Sequence, residues 1–332
     1  MLSPVPSPPD QARTAAAAAL LSIEGLEKHY ALPGRWFGHA GVMRAVDNVS
    51  FAIGPQETFG LVGESGSGKS TIGRMIARLI RPTAGSIQFD GKDWLALSGN
   101  EFRRARKRVQ MVFQSPYASL DPRWRIADIV AEPLRTHLDL PAAELRDRVA
   151  GLLQAVGLDP AVADRHPHQF SGGQRQRIGI ARAIALEPDL LVADEPVSAL
   201  DVSVQAQILT LLQDIKARRR LSMLFISHDL SVVAYLCDRV GVLYHGRLVE
   251  IAATRELFNA PGHPYTRTLV AAIPGSGKRH EASIPAGGST SEGGCAYAGR
   301  CPHARDPCRT VMPALRPSAS NTLIACHRAG EI

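Results

Sequence analysis

The sequence predicts an α/β fold on a parallel sheet, with N-terminal strands, an inserted helical block and a small cysteine-rich end. Three observations predict it. The runs at 190–193 and 223–226 are continuously apolar, as strands covered on both faces are. Stretches that read as helices at 71–79 and 204–218 alternate with such runs, in the manner of crossover helices. A short strand at 58–62 runs directly into a glycine-rich turn that opens the first of these helices.

Taken in order, 1–20 is rich in Pro, Ser and Ala without amphipathic period and reads as a disordered leader. Segments 22–30 and 45–53 alternate as two strands of an N-terminal antiparallel β-subdomain, separated by an exposed loop with Trp36, Phe37 and Gly38. A strand at 86–89, a basic helical stretch at 103–108 and a strand at 109–113 follow. The block from about 115 to 180 has helical period at 126–134, 142–156 and 172–185, with breaks at Pro141, Gly157 and Pro160. Residues 275–295 are poor in apolar side chains and read as a linker. The expected organisation is a leader at 1–20, a main domain at 21–272 with the helical block inserted at about 115–180, and a linker with a cysteine-rich region at 273–332.

Composition narrows the function. The chain has 332 residues, 45% of them apolar, which is enough to bury a substantial core. A net charge of +7 suits nucleic acid, an anionic membrane surface or a phosphate-rich ligand, and does not choose among them. No apolar run reaches the roughly 18 residues of a membrane span. Residues 1–12 carry no Lys or Arg, which argues against a signal peptide. The chain is expected in the cytoplasm, touching a membrane through other proteins.

The sharpest motif is Gly63, Glu64, Ser65, Gly66, Ser67, Gly68, Lys69, Ser70 and Thr71, a full match to G-x-x-x-x-G-K-[ST]. Its glycines let consecutive backbone N–H groups turn toward phosphate oxygens, and the following helix adds its positive end. Lys69 is placed to reach the β- and γ-phosphates of ATP, and the Ser70 hydroxyl to bind Mg2+. Gly275 to Lys278 looks similar but lacks both a following Ser or Thr and a preceding buried strand, and reads as linker.

A second constellation ends the 190–193 strand. Asp194 and Glu195 stand where strand ends reach the site above a parallel sheet. Asp194 is expected to hold Mg2+ through water and Glu195 to polarise the attacking water. His228, after the next apolar strand, can donate to the γ-phosphate, although a lone histidine is more often structural.

These residues carry a resemblance to the ABC-type ATPases. Phe170, Ser171, Gly172, Gly173 and Gln174 resemble the signature segment, with Phe170 where Leu is commoner. Gln114 resembles the Q-loop glutamine, placed to ligate Mg2+. Ser198 to Asp201 resembles the D-loop, and Tyr30 the aromatic that stacks on adenine. The resemblance implies a head-to-tail dimer in which Ser171 and Gly173 act on the partner subunit's nucleotide. Trp36 to Gly38, the stretch from Gln114 to Arg123, and His263, Pro264, Tyr265 and Thr266 resemble the oligopeptide/dipeptide importer ATPases, nearest their F-type second chain. Nickel and glutathione importers use very similar subunits. The resemblance implies a second ATPase chain, two membrane-spanning permease subunits and a solute-binding protein as partners, at the cytoplasmic face of the inner membrane. A soluble ABC ATPase acting on nucleic acid is the rival; with one phosphate loop and no coiled-coil insertion, no nucleic-acid partner is expected.

Of five cysteines, Cys295, Cys301, Cys308 and Cys326 crowd the end of the chain at C-x5-C-x6-C-x17-C. A reducing compartment favours metal over disulfides, and the spacing lacks the close C-x2-C clips of common zinc sites. The resemblance implies a four-cysteine [4Fe–4S] site here. A zinc site, with His303 and His327 nearby, and free thiols remain the alternatives.

Overall fold

The described residues build two sheets around one helix. In this computed structural model, residues 19–31, 41–273, 293–318 and 322–332 are described. The expected leader up to residue 18, the loop with Trp36 to Gly38, and the linker from Gly275 to Lys278 lie outside the described residues.

The first sheet is antiparallel. Strand β1 (Leu21–Ala31) buries Leu21, Ile23 and Leu26, and β2 (Val42–Ile53) buries Val49, Phe51 and Ile53 against the same core. β1 also pairs antiparallel with β4 (Ala84–Phe89), and β5 (Lys92–Asp93) closes the edge.

The second sheet holds the site. Its parallel part runs β6 (Val109–Val112), β7 (Leu190–Asp194), β8 (Ser222–Ser227), β3 (Thr58–Val62) and β9 (Arg239–Tyr244). Residues of β3, β7 and β8 are buried throughout, the reason their sequences are unbroken apolar runs. Antiparallel strands β10 (Arg247–Ala253), β12 (Leu323–Ile324) and β11 (Arg316–Pro317) extend it. The sequence gives no alternation long enough to announce β11 and β12, two residues each. They form because β10 offers an edge: Glu250 pairs with Ile324 and Ile251 with Leu323.

Helix α1 (Lys69–Ile76) lies between the sheets. Its Ile72, Met75 and Ile76 share one apolar cluster with Ile23, Phe51, Leu61, Val192 and Ile226. Burying each such side chain stabilises the fold by about 1.5–3 kcal/mol. Trp94, 1% exposed, ends the helix by donating from Nε1 to the Ile76 carbonyl at 2.8 Å.

Between β6 and β7 the chain is helical: α2 (Gly99–Ala105) precedes β6, and α3 (Pro116–Ser119), α4 (Ile126–His137), α5 (Ala142–Ala155) and α6 (Gly172–Ala183) follow it. Ile129, Val130, Leu134, Leu152, Leu153 and Ile178 form their common core. Two expectations differ here. The basic stretch 103–108 is helical only to Ala105, then a 3-10 turn. Helix α4 runs three residues beyond Leu134 despite Pro133. The two differences share a cause: Arg103 Nη2 and Lys107 Nζ donate to the carbonyls of Thr136 and His137, satisfying the last turn of α4. The remaining helices are α7 (Val202–Arg219), α8 (Leu230–Leu236), α9 (Thr254–Asn259), α10 (Pro264–Ala271) and α11 (Asp306–Thr310). No helix among the described residues is long and apolar enough to cross a membrane.

Candidate functional site: a phosphate loop facing three strand ends

The carboxyl ends of β3, β8 and β7 open on one edge of the sheet, where ligands of open α/β folds bind. The phosphate loop leaves β3 there. Two of its glycines are required by close approach. At Gly63 (φ 154°) a Cβ would run into the Leu243 carbonyl oxygen, and at Gly68 (φ 106°) into that of Ala45. The loop is therefore pressed between the β9 end and β2.

Lys69 is 4% exposed. Its Nζ donates to the carbonyls of Gly63 and Glu64, both at 2.8 Å, and to Ser67 Oγ at 3.3 Å. Burial pushes its pKa down, while Glu195, Asp194 and Glu64 pull it back up. Ser70 Oγ donates to Asp194 Oδ1 at 2.7 Å, bringing together two of the groups expected to hold Mg2+. Asp194 is buried, which raises its pKa; the Ser70 hydrogen bond and the Arg74 charge oppose the rise. Oxygen donors from Ser70, Asp194 and Gln114 suit a hard divalent cation.

Glu195 adopts φ 45°, a left-handed conformation that costs a non-glycine residue about 1 kcal/mol. Its N–H donates to the Ile226 carbonyl at 3.0 Å, which holds the strained residue in place. Gln114 Nε2 donates to Glu195 Oε2 at 2.8 Å, and His228 Nδ1 lies 3.3 Å from the same oxygen. The expected Gln114, Asp194, Glu195 and His228 thus meet beside Lys69 and Ser70. Ser198 Oγ donates to the Glu195 carbonyl, and Asp201 stands exposed at the start of α7.

A family described as ABC transporter matches residues 46–198, and one described as oligopeptide/dipeptide transporter, C-terminal region, matches 249–308. A putative peptide import ATP-binding protein of Brucella ovis is 51% identical over 315 residues, covering 93% of this chain and 98% of that protein. The chain belongs to the ATP-binding proteins of ABC transporters. The oligopeptide transport ATP-binding protein AppF of Bacillus subtilis is 45% identical, over 93% of this chain and 97% of that protein. A solved dimeric structure of the ATP-binding cassette MJ0796, in a post-hydrolysis state with ADP and phosphate, superposes with TM-score 0.64 at 28% identity. It covers 71% of this chain and 99% of that one.

Residues 171–174, which resemble the ABC signature, open α6. Ser171 and Gln174 form a reciprocal capping box at the start of α6, at 3.3 and 3.0 Å, and both are exposed. Gly173 is buried against Val204, where a Cβ would collide. Tyr30 is half-exposed and pairs in register with Met43, two residues before the Ala45 that touches Gly68. That register sets it on the strand pair flanking the loop.

Sequence reasoning read His263 to Thr266 only as a mark of resemblance and missed its work. His263 caps α10, its Nδ1 accepting from the Tyr265 N–H at 3.1 Å, while Glu250 accepts from the N–H groups of Gly262 and His263. The helix so capped aims Tyr265 at the loop, and its hydroxyl accepts from the Glu64 N–H at 3.0 Å. Arg300 was missed outright; its Nη1 donates to both Glu64 oxygens, at 3.0 and 3.1 Å. Nothing local in the sequence marks it.

Cys295, Cys301, Cys308 and Cys326 line one small cavity with His303 and His327. All four are free thiols. Burial raises the pKa of Cys295, Cys301 and Cys326, and neighbouring members of the set raise it further. The donor set fits a four-sulfur centre in kind. Among the described residues, however, no three or more His, Cys, Asp or Glu stand in a metal-holding arrangement, so the iron–sulfur expectation gains no support from the geometry.

Proposed function

We propose that this chain hydrolyses ATP to drive import of oligopeptides or dipeptides at the cytoplasmic face of the inner membrane. It does so as a head-to-tail pair with a second ATPase chain, on two membrane-spanning permease subunits fed by a solute-binding protein. The observation that carries the reading is the meeting of Lys69, Ser70, Asp194, Glu195, Gln114 and His228 at one edge of the sheet. The peptide solute is supported by the names of the relatives and by the matched C-terminal region. The proposed division is a nucleotide-binding domain over 21–272 and a cysteine-rich region over 273–332.

In this reading the amides of 63–71 and Lys69 bind the β- and γ-phosphates, and Tyr30 stacks on adenine. Ser70, Gln114 and Asp194 would hold Mg2+, which would supply positive charge against the phosphates. Glu195 accepts the proton of the attacking water, and His228 donates to the γ-phosphate. Ser171, Gly172, Gly173 and Gln174 face the γ-phosphate of the ATP held by the other subunit, through the free N–H groups opening α6. Asp201 lies at that same dimer contact. No covalent intermediate is needed, since positioning and charge stabilisation carry phosphoryl transfer. Cys295, Cys301, Cys308 and Cys326 would hold a [4Fe–4S] cluster that stiffens the C-terminal segment.

The test is reconstitution of the complex in lipid vesicles with its solute-binding protein. Peptide should stimulate ATP hydrolysis and accumulate inside, and Lys69→Ala should abolish both. Hydrolysis indifferent to every peptide, but stimulated by nickel or glutathione, would replace the solute and leave the motor.

A further inference from the structure

Glu64 places a carboxylate inside a loop built to receive anions. Its charge acts on Lys69, where it raises the pKa. Left alone, the same charge opposes a triphosphate. It is not left alone: Arg300 Nη1 donates to both of its oxygens. The Arg300 guanidinium also stands over the Tyr297 ring, 6.0 Å from the centroid. The backbone of Glu64 is held as well, through its N–H to Tyr265. One loop residue is therefore gripped twice from the C-terminal region.

Both grips stand on one support. Tyr244 packs on Tyr265 at 4.5 Å and on Tyr297 at 5.2 Å between ring centroids, and Tyr265 lies 5.4 Å from Tyr297. Tyr265 and Tyr297 are almost wholly buried, so the cluster is rigid. Arg300 itself sits on a turn tied to the cysteines. Its N–H donates to the Tyr297 carbonyl, that of Ala298 to Cys295, and that of Cys295 to Cys308; Cys301 is the next residue.

We propose that Arg300 is a positioning residue of the phosphate loop: it neutralises and holds Glu64, so that the 295–301 turn sets the loop's affinity for ATP. The inference rests on the reading that 63–71 binds the phosphates of ATP. Arg300 needs no contact with nucleotide. Removing it frees a carboxylate beside the phosphates and loosens the turn of chain that Lys69 bonds to. Coupling of this kind is reciprocal, so ATP stabilises the 295–301 turn by as much as the turn favours ATP.

The effect is modest, because the Arg300 and Glu64 side chains are 26% and 42% exposed. A pair so placed is worth roughly a three- to fivefold change in affinity. The experiment measures binding of a fluorescent ATP analogue and steady-state hydrolysis by the full-length protein. Arg300→Gln should weaken binding about three- to fivefold and raise KM for ATP with kcat unchanged. Arg300→Lys should restore binding to within about twofold of wild type. In a Glu64→Gln background, Arg300→Gln should change nothing further. An equal loss in both backgrounds overturns the proposal and leaves Arg300 as a strut of the tail. If Arg300→Gln does not fold, amide exchange decides. ATP should slow exchange at 295–301 in wild type and not in Glu64→Gln; slowing of equal size in both overturns the proposal. A folded wild-type protein that binds no nucleotide would instead sink the ATPase reading itself.

Discussion

Gln114 donates from Nε2 to Glu195 Oε2 at 2.8 Å, so the carboxylate proposed to polarise water is tied to the loop after β6. His228 lies 3.3 Å from the same oxygen. Two segments of the chain, the loop after β6 and the end of β8, thus converge on one oxygen of Glu195.

Replacing that carboxylate separates binding from chemistry. Glu195→Gln keeps the shape and the hydrogen-bonding reach but cannot accept a proton. ATP affinity should hold, while hydrolysis falls by about 10²–10⁴-fold. ATP trapped between two subunits should shift the protein toward the dimer on size exclusion. Phosphate release within tenfold of wild type would remove Glu195 from its assigned role.

His263 gives the fold a pH limit. It is 1% exposed, and its Nδ1 accepts a hydrogen bond from Tyr265 N–H, so it is neutral in the native state. Burial lowers its pKa from 6.5 to about 4. The native state therefore binds fewer protons than the unfolded chain between these values. Its stabilisation is complete above about pH 6.5 and is lost as pH falls toward 4. Denaturant unfolding should show a loss of about 2 kcal/mol between pH 6.5 and 5 from this residue. His263→Asn, which can still cap α10, should remove that part of the slope. An unchanged slope in the variant assigns the acid sensitivity elsewhere.

The terminal cysteines give a compositional test. Protein purified without oxygen should be brown, with iron and sulfide each near about four per chain. Cys301→Ser should bleach it and loosen the 295–301 turn, while ATP binding survives because Lys69 belongs to the core. Zinc in place of iron would point to a thiolate zinc site. Metal-free protein with an ordered tail would leave the four thiols without a ligand.

Much of this protein is written locally. The spacing of Gly63, Gly68, Lys69 and Ser70 specifies a loop whose backbone can face phosphate, because each requirement concerns neighbours in the chain. Strands such as β7 are legible because burial on both faces demands unbroken apolar residues, and a strand end fixes where Asp194 and Glu195 point. The helix bounds were less legible where distant groups decided them, as Arg103 and Lys107 do for the end of α4.

The sequence by itself determined the phosphate-loop motif and the carboxylate pair that ends β7, since both follow from short-range pattern. Only the tertiary structure decided that the C-terminal region completes the core sheet and reaches the loop. Tyr265 meets Glu64 across 201 positions, and Arg300 meets it across 236. Neither contact leaves a periodic or compositional trace, because a single hydrogen bond between distant segments asks only for the right geometry, and the packing of Tyr244, Tyr265 and Tyr297 supplies it.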